Sequence, residues 1–144
     1  MNLIEESNDA IALRTTPLHL GPKLRARAIE GFAWDPETLQ AYSAVVAADS
    51  GDGRLLVVID GEGSGDHWES HPAGDEVVIC LSGSVRVVRE VEGAQREVVL
   101  LPGTATINPA GIWHAVHFVV AGSILTITPV AGTEHAPLPQ RRSA

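Results

Sequence analysis

The chain has 144 residues, enough for one domain with a core of its own and too few for two ordinary ones. Its hydrophobic fraction of 44% excludes wholesale disorder. A net charge of −8, with no extended run of lysine or arginine, excludes a phosphate-tracking surface, so neither nucleic acid nor an anionic membrane is an expected partner.

No apolar run approaches the length needed to span a bilayer. The opening stretch, MNLIEESNDAIALRTT, carries acids where a secretory signal needs a basic start and an apolar centre. Cys80 is the single cysteine, which leaves no internal disulfide and no cysteine-based zinc finger. A cytoplasmic, reducing location is therefore expected.

In chain order, the extreme N-terminus reads as a poorly ordered end, and residues 17–33 as an additional strand or two. WDPETLQAYSAVVAADSGDG predicts a helix: Asp35 is its N-cap, Pro36 its first helical residue and Glu37 sits in its first turn. Leu39, Tyr42, Val45 and Val46 fall at helical spacing on its buried face, and the glycines and aspartates of DSGDG end it. From Arg54 the pattern changes. RLLVVID, EVVICLSG, SVRVVREV, REVVLLPG, HAVHFVVAG and SILTITPV are strand-length, β-branched runs broken by turn residues. Their spacing is that of an all-β sandwich or barrel. The boundaries that follow are an N-terminal extension with one helix packing on the barrel (1–53), a barrel (54–130) and a tail (131–144), of which APLPQRRSA reads as poorly ordered.

Chemistry gathers in HWESHPAGDE at residues 67–76 and in NPAGIWH at 108–114. Residues two apart in a strand share a face, so Glu69 and His71 converge while Trp68 and Ser70 point away. Pro72 and Gly74 turn the chain before Glu76 opens the next strand, and a second Pro-x-Gly turn delivers His114 onto a later one. Two imidazoles and two carboxylates on neighbouring barrel strands make a pocket for a divalent metal.

These residues carry a resemblance. Gly63, Glu69, His71, Glu76 and Gly83 fall at the spacing Gly-x5-His-x-His-x4-Glu-x6-Gly, and Gly103, Pro109, Gly111 and His114 at Gly-x5-Pro-x-Gly-x2-His-x3-Asn. Over residues 54 to 129 the chain resembles the cupin superfamily, as a small single-domain, metal-binding, RmlC-like jelly roll. The resemblance implies an all-β double-stranded β-helix barrel with one divalent ion (zinc, iron, manganese or nickel) at Glu69, His71, Glu76 and His114. Two positions depart from the pattern: Glu69 stands where the first histidine is usual, and Phe118 where asparagine is usual.

Glu69 has two readings, a fourth ligand or a catalytic general base beside a two-histidine, one-carboxylate set. His67 shares its parity and lines the mouth or lies on the surface. Val78, Cys80, Val116 and Phe118 are expected to line the pocket, with Cys80 acting as a small hydrophobe. His117 has the opposite parity and is left outside. His19 and His135 are expected at the surface, with GTEH able to fold over the mouth. Trp68 and Trp113 point outward and, with apolar residues on both faces of EVVICLSG, suggest a homodimer. The expected function is a metal-dependent enzyme acting on a small polar or carbonyl-bearing metabolite, of isomerase, cyclase or dioxygenase type. The alternative is a non-catalytic module that binds a small molecule or metal.

Overall fold

The computed structural model describes residues 10–138, so the extreme N-terminus (1–9) and all but 136–138 of the tail stretch expected to be poorly ordered lie outside the described residues. Its elements are β1 (Leu18–Leu20), β2 (Ala26–Ala28), α1 (Pro36–Ala48), β3 (Arg54–Gly61), β4 (His67–Ser70), β5 (Glu76–Val91), β6 (Ala94–Leu100), β7 (Ala105–Asn108), β8 (His114–Thr128) and β9 (Glu134–Pro137). All pairings are antiparallel, as the expected jelly-roll barrel requires. β8 is the hub: it pairs with β3 along its second half, with β4 through Glu69 and His114, and with β5 along nearly its whole length.

The six runs read from the sequence resolve differently from a one-run, one-strand count. EVVICLSG and SVRVVREV form one continuous strand, β5, and HAVHFVVAG and SILTITPV form another, β8. The register between these two strands shifts at Ser82 and Ser84, so the glycines mark bends rather than ends. Gly83 takes φ +70° there, and a Cβ on Gly122 would lie 2.1 Å from the Ser82 carbonyl oxygen. The backbones cross too closely for any side chain.

Inward residues of the bent strands make the main core of Val78, Cys80, Val85, Val87, Leu100 and Ile124. A second cluster forms where α1 lies on β3. The Asp35 carboxylate accepts the Thr38 amide at 2.7 Å, Pro36 follows, and Tyr42 and Val46 pack on Leu55 with Val45 beside them. Leu39 lies off this seam and lines the barrel cavity instead.

Two expectations are corrected here. His19 is no surface residue: it is 3% exposed, and its Nδ1 and Nε2 lie 2.8 Å from the Tyr42 hydroxyl and 2.6 Å from Asp49 Oδ2. The hydroxyl donates to Nδ1, and Nε2–H donates to the carboxylate. Burial, then the Asp49 charge, pushes the Tyr42 hydroxyl's pKa up. This link ties α1 to the strand extension, and Gly53 is glycine because a Cβ would sit 2.3 Å from the His19 ring. His19→Ala leaves a buried hydroxyl and a carboxylate unpaired. It should lower unfolding stability by about 2–3 kcal/mol in chemical denaturation; an unchanged midpoint would contradict that role.

Trp68 is also not surface. It is 2% exposed, packed with Val88 and Ala115 beneath Trp113, Ala136 and Leu138. The cover comes from the tail. β9 pairs with β4 in the register Trp68↔Ala136 and Glu69↔His135, so Ala136 and Pro137 are ordered strand where a loose end was expected.

Candidate metal centre

The two chemistry-bearing turns are bonded to each other. The Gly111 amide donates to the His71 carbonyl at 3.1 Å, and the Ala110 amide to Asp75 Oδ1 at 2.8 Å. Each Pro-x-Gly turn therefore fixes the other, and the residues that leave them, His71, Glu76 and His114, are presented to one point. Glu69 joins through strand pairing, directly opposite His114. One donor atom from each of the four residues falls within 4.8 Å of all the others.

The spacing suits ligation. Nε2 of His71 and of His114 each lie 3.2 Å from an oxygen of Glu76, while Glu69 Oε2 is 3.4 Å from His71 Nε2 and 4.0 Å from His114 Nε2. Ligands bound at about 2.0–2.2 Å stand about 3–3.4 Å apart around an ion. The far side of each donor is held. His114 Nδ1–H donates to the Ile112 carbonyl at 3.2 Å. His71 Nδ1 meets Thr133 Oγ1 at 2.8 Å, and that hydroxyl gives its own proton to the Val130 carbonyl, so it accepts from the imidazole. Asn108 Nδ2 donates to Glu76 Oε1 at 3.0 Å and the Thr128 hydroxyl to Oε2 at 2.7 Å. Arg89 orients Asn108 by donating to its Oδ1 at 2.7 Å. Imidazoles and carboxylates held by such outer partners keep their lone pairs aimed at the centre.

One atom tests whether a cation fits. His71 Nε2 is buried and aligned in a hydrogen bond with neither nearby carboxylate, despite its short distances to both. A buried nitrogen left this way costs free energy unless a further partner takes its lone pair. The charges agree. Burial pushes the Glu76 carboxyl upward, but the adjacent His114 and His71 imidazoles, each 3.2 Å away, outweigh it and hold the group below the usual range. Burial acts the same way on Glu69, and the bond from His67 with the nearby His71 imidazole brings it down to about 2. His71 is opposed by burial too, yet its two carboxylate neighbours raise it to about 9. Two ionised carboxylates thus demand positive charge between them. The His71 proton supplies positive charge in the protein alone; a divalent ion would supply it instead.

The cluster opens into a cavity of about 950 Å³. Val78, Val116 and Phe118 line it together with Leu55, Val57 and Ile59, and His67 stands at its mouth. The Phe118 ring presses on Gly61, where a Cβ would come within 2.2 Å of it. Cys80, expected in this wall, is not among the residues that line it. It is wholly buried in the core, its thiol facing the Ser82 and Gly83 carbonyls. His117 is turned outward, where its Nδ1 accepts the Gly65 amide. Sequence reasoning missed the holding residues Asn108, Thr128 and Thr133. Asn108 was within reach, since it opens the second motif and pairs with Glu76 in register. It also missed Trp34, Leu39, Gln40 and Ser43, which carry the cavity wall onto α1 and the segment before it.

No curated protein matches the chain. Among solved structures, hydroxypropylphosphonic acid epoxidase from S. wedmorenis, in complex with fosfomycin, is similar at 16% identity and a TM-score of 0.46. The likeness covers 52% of this chain and 43% of the epoxidase, less than half of it. A cupin-2 domain containing protein from Shewanella frigidimarina NCIMB 400 gives 22% identity and a TM-score of 0.46, over 53% of this chain and 70% of that one. Hydroquinone 1,2-dioxygenase from Sphingomonas sp. TTNP3, with 4-hydroxybenzoate bound, gives 17% and 0.44, over 52% of this chain and 58% of that one. The Cupin domain family (Cupin_2) itself matches residues 54–128, more than half of the chain and both turn motifs together. The chain belongs to the cupin family.

Proposed function

We propose that this cupin is a metal-dependent enzyme acting on a small metabolite with a polar or carbonyl-bearing head and an apolar body. The observation that carries the reading is His71 Nε2, buried and unaligned between two carboxylates while Thr133 holds the opposite nitrogen. His71, Glu76 and His114 would hold one divalent ion, and Glu69 stands beside them either as a fourth donor or as the base. A two-nitrogen, two-oxygen set suits zinc, iron, manganese or nickel. Such an ion, when bound, polarises a substrate oxygen.

The chain's own residues supply the rest. Val57, Ile59, Val116 and Phe118 seat the apolar body and keep water from the head. Glu69, 31% exposed, stands between the cluster and the cavity, where it can take up a proton and return it at another substrate atom. That action is common to isomerisation, cyclisation and the deprotonation that precedes oxygenation. The test is elemental analysis of untagged protein purified without chelator. We expect close to one equivalent of a transition metal; less than about a tenth of an equivalent, with no uptake on soaking, would sink the reading.

The outer sheet face supports a homodimer as the working unit. Ile107, Val77 and Ile127 form an apolar row across β7, β5 and β8, with Ile79 and Leu125 beside it. Light scattering at micromolar concentration should give the mass of two chains, and Ile107→Glu should halve it; a wild-type monomer would count against the dimer.

A further inference from the structure

Glu69 occupies a middle position. At this point β4 runs between β8 and β9, and Glu69 is the register partner of His114 on one side and of His135 on the other. The three side chains form one row across the sheet. The two oxygens of the carboxylate then have different neighbours. Oε2 faces inward to His71 and His114. Oε1 faces the mouth, 2.7 Å from His67 Nε2 and 3.8 Å from His135 Nδ1.

His67 shares Glu69's face of β4 by strand parity, and its ring centroid lies 5.2 Å from that of His135. The donor atoms of His67, Glu69 and His135 all lie within 4.8 Å of one another, as those of the inner cluster do. His67 also has a supporting partner: its Nδ1 lies 2.5 Å from Asp66 Oδ1. A carboxylate behind an imidazole fixes the ring and aims the other nitrogen, which is how metal-binding histidines are held.

We propose that His67, Glu69 and His135 form a second divalent-metal site at the cavity mouth, bridged to the inner centre by the Glu69 carboxylate. It rests on the proposed function only in that Glu69 is shared. Two imidazoles and one carboxylate select a borderline ion such as zinc, cobalt or manganese over magnesium or calcium, which take oxygen donors. The His67 and His135 side chains are 44% and 58% exposed, so the site is looser than the inner one and open to water or an entering substrate oxygen. Glutamate in place of the usual histidine then has a structural reason. An imidazole at position 69 would serve the inner ion alone, whereas a carboxylate offers one oxygen to each side.

The experiment is zinc titration of the full, chelator-stripped chain by calorimetry, with electron paramagnetic resonance of the manganese-loaded protein. The wild type should take up two ions, the second more weakly, and its manganese spectrum should show an exchange-coupled pair. His67→Ala/His135→Ala should bind only the tight ion and give an isolated-ion spectrum. Asp66→Ala should weaken the second ion about tenfold and leave the first unchanged. A wild type that binds one ion, with the double variant's isotherm identical, overturns the second site and leaves the inner reading standing. A second ion that persists in the double variant lies elsewhere and overturns it as well. A single ion that vanishes in the double variant but survives His114→Ala would support the mouth site and sink the inner one. No uptake by any form would sink both.

Discussion

Glu76→Gln should abolish tight metal binding, lowering affinity by at least about a hundredfold and leaving the barrel folded. The side chain keeps its size and stays in a pocket that already supplies two donors, Asn108 Nδ2 and the Thr128 hydroxyl. What changes is charge and the number of acceptors. The carboxylate approaches both imidazoles at 3.2 Å, one oxygen to each. An amide has one acceptor oxygen, so its N–H₂ faces either His114 and the Asn108 N–H₂ or His71 and the Thr128 hydroxyl, and one donor loses its acceptor. Outer partners of metal ligands are worth about 10–100-fold in affinity, and loss of the ligand itself costs more. Asn108→Ala provides the graded comparison, falling within that range because Glu76 loses its orientation but not its charge. Metal content after dialysis and the titration isotherm read both. Glu76→Gln retaining wild-type affinity would mean that Glu76 is a structural acceptor and that the centre lies elsewhere.

The clustering of Glu69, His71, Glu76 and His114 was legible in sequence because their geometry is local. His71 and Glu76 flank one turn, His114 leaves another, and strand parity fixes which way Glu69 faces. Nothing distant has to be known to place them. The misread residues depend on pairing register between remote segments. His19 looked like a surface histidine because its partners, Tyr42 and Asp49, lie on and after a helix that must first dock on β3. Trp68 looked outward by parity, and does face outward from the cavity, but the tail adds β9 and its Ala136 and Leu138 cover the ring. The same added strand brings His135 beside Glu69: the sequence allowed GTEH to fold over the mouth, but not the register that sets His135 opposite Glu69. Cys80 failed for another reason. Parity gives the face of a strand and not its neighbours, and this cysteine packs in the core with Val78, Val85 and Ile124 without lining the cavity.

Glu69→His should keep the inner ion and lose most of the native activity. The substitution restores the histidine usual in the family at a position opposite His114, where an imidazole can reach the same centre. Metal occupancy should stay near one equivalent, shifted toward softer ions because nitrogen replaces oxygen. Activity should fall by about 10²–10⁴-fold, the usual weight of a positioned proton-transfer group. The carboxylate either balances the ion's charge or moves a proton, and imidazole does neither in the same way. Its second oxygen matters too: Oε1 is the acceptor for His67 at 2.7 Å, and an imidazole bound inward offers that residue nothing. Glu69→Gln separates the two roles. As a ligand, Glu69 replaced by the amide should cost metal affinity; as a base, the same change should leave metal content intact and remove turnover. Elemental analysis and turnover of the same preparations read both variants. If Glu69→His turned over the native substrate at the wild-type rate, Glu69 would be a passive replacement. Proton transfer would then have to be assigned to another group facing the cavity, and His67, held against Asp66 at the mouth, would be the first to test.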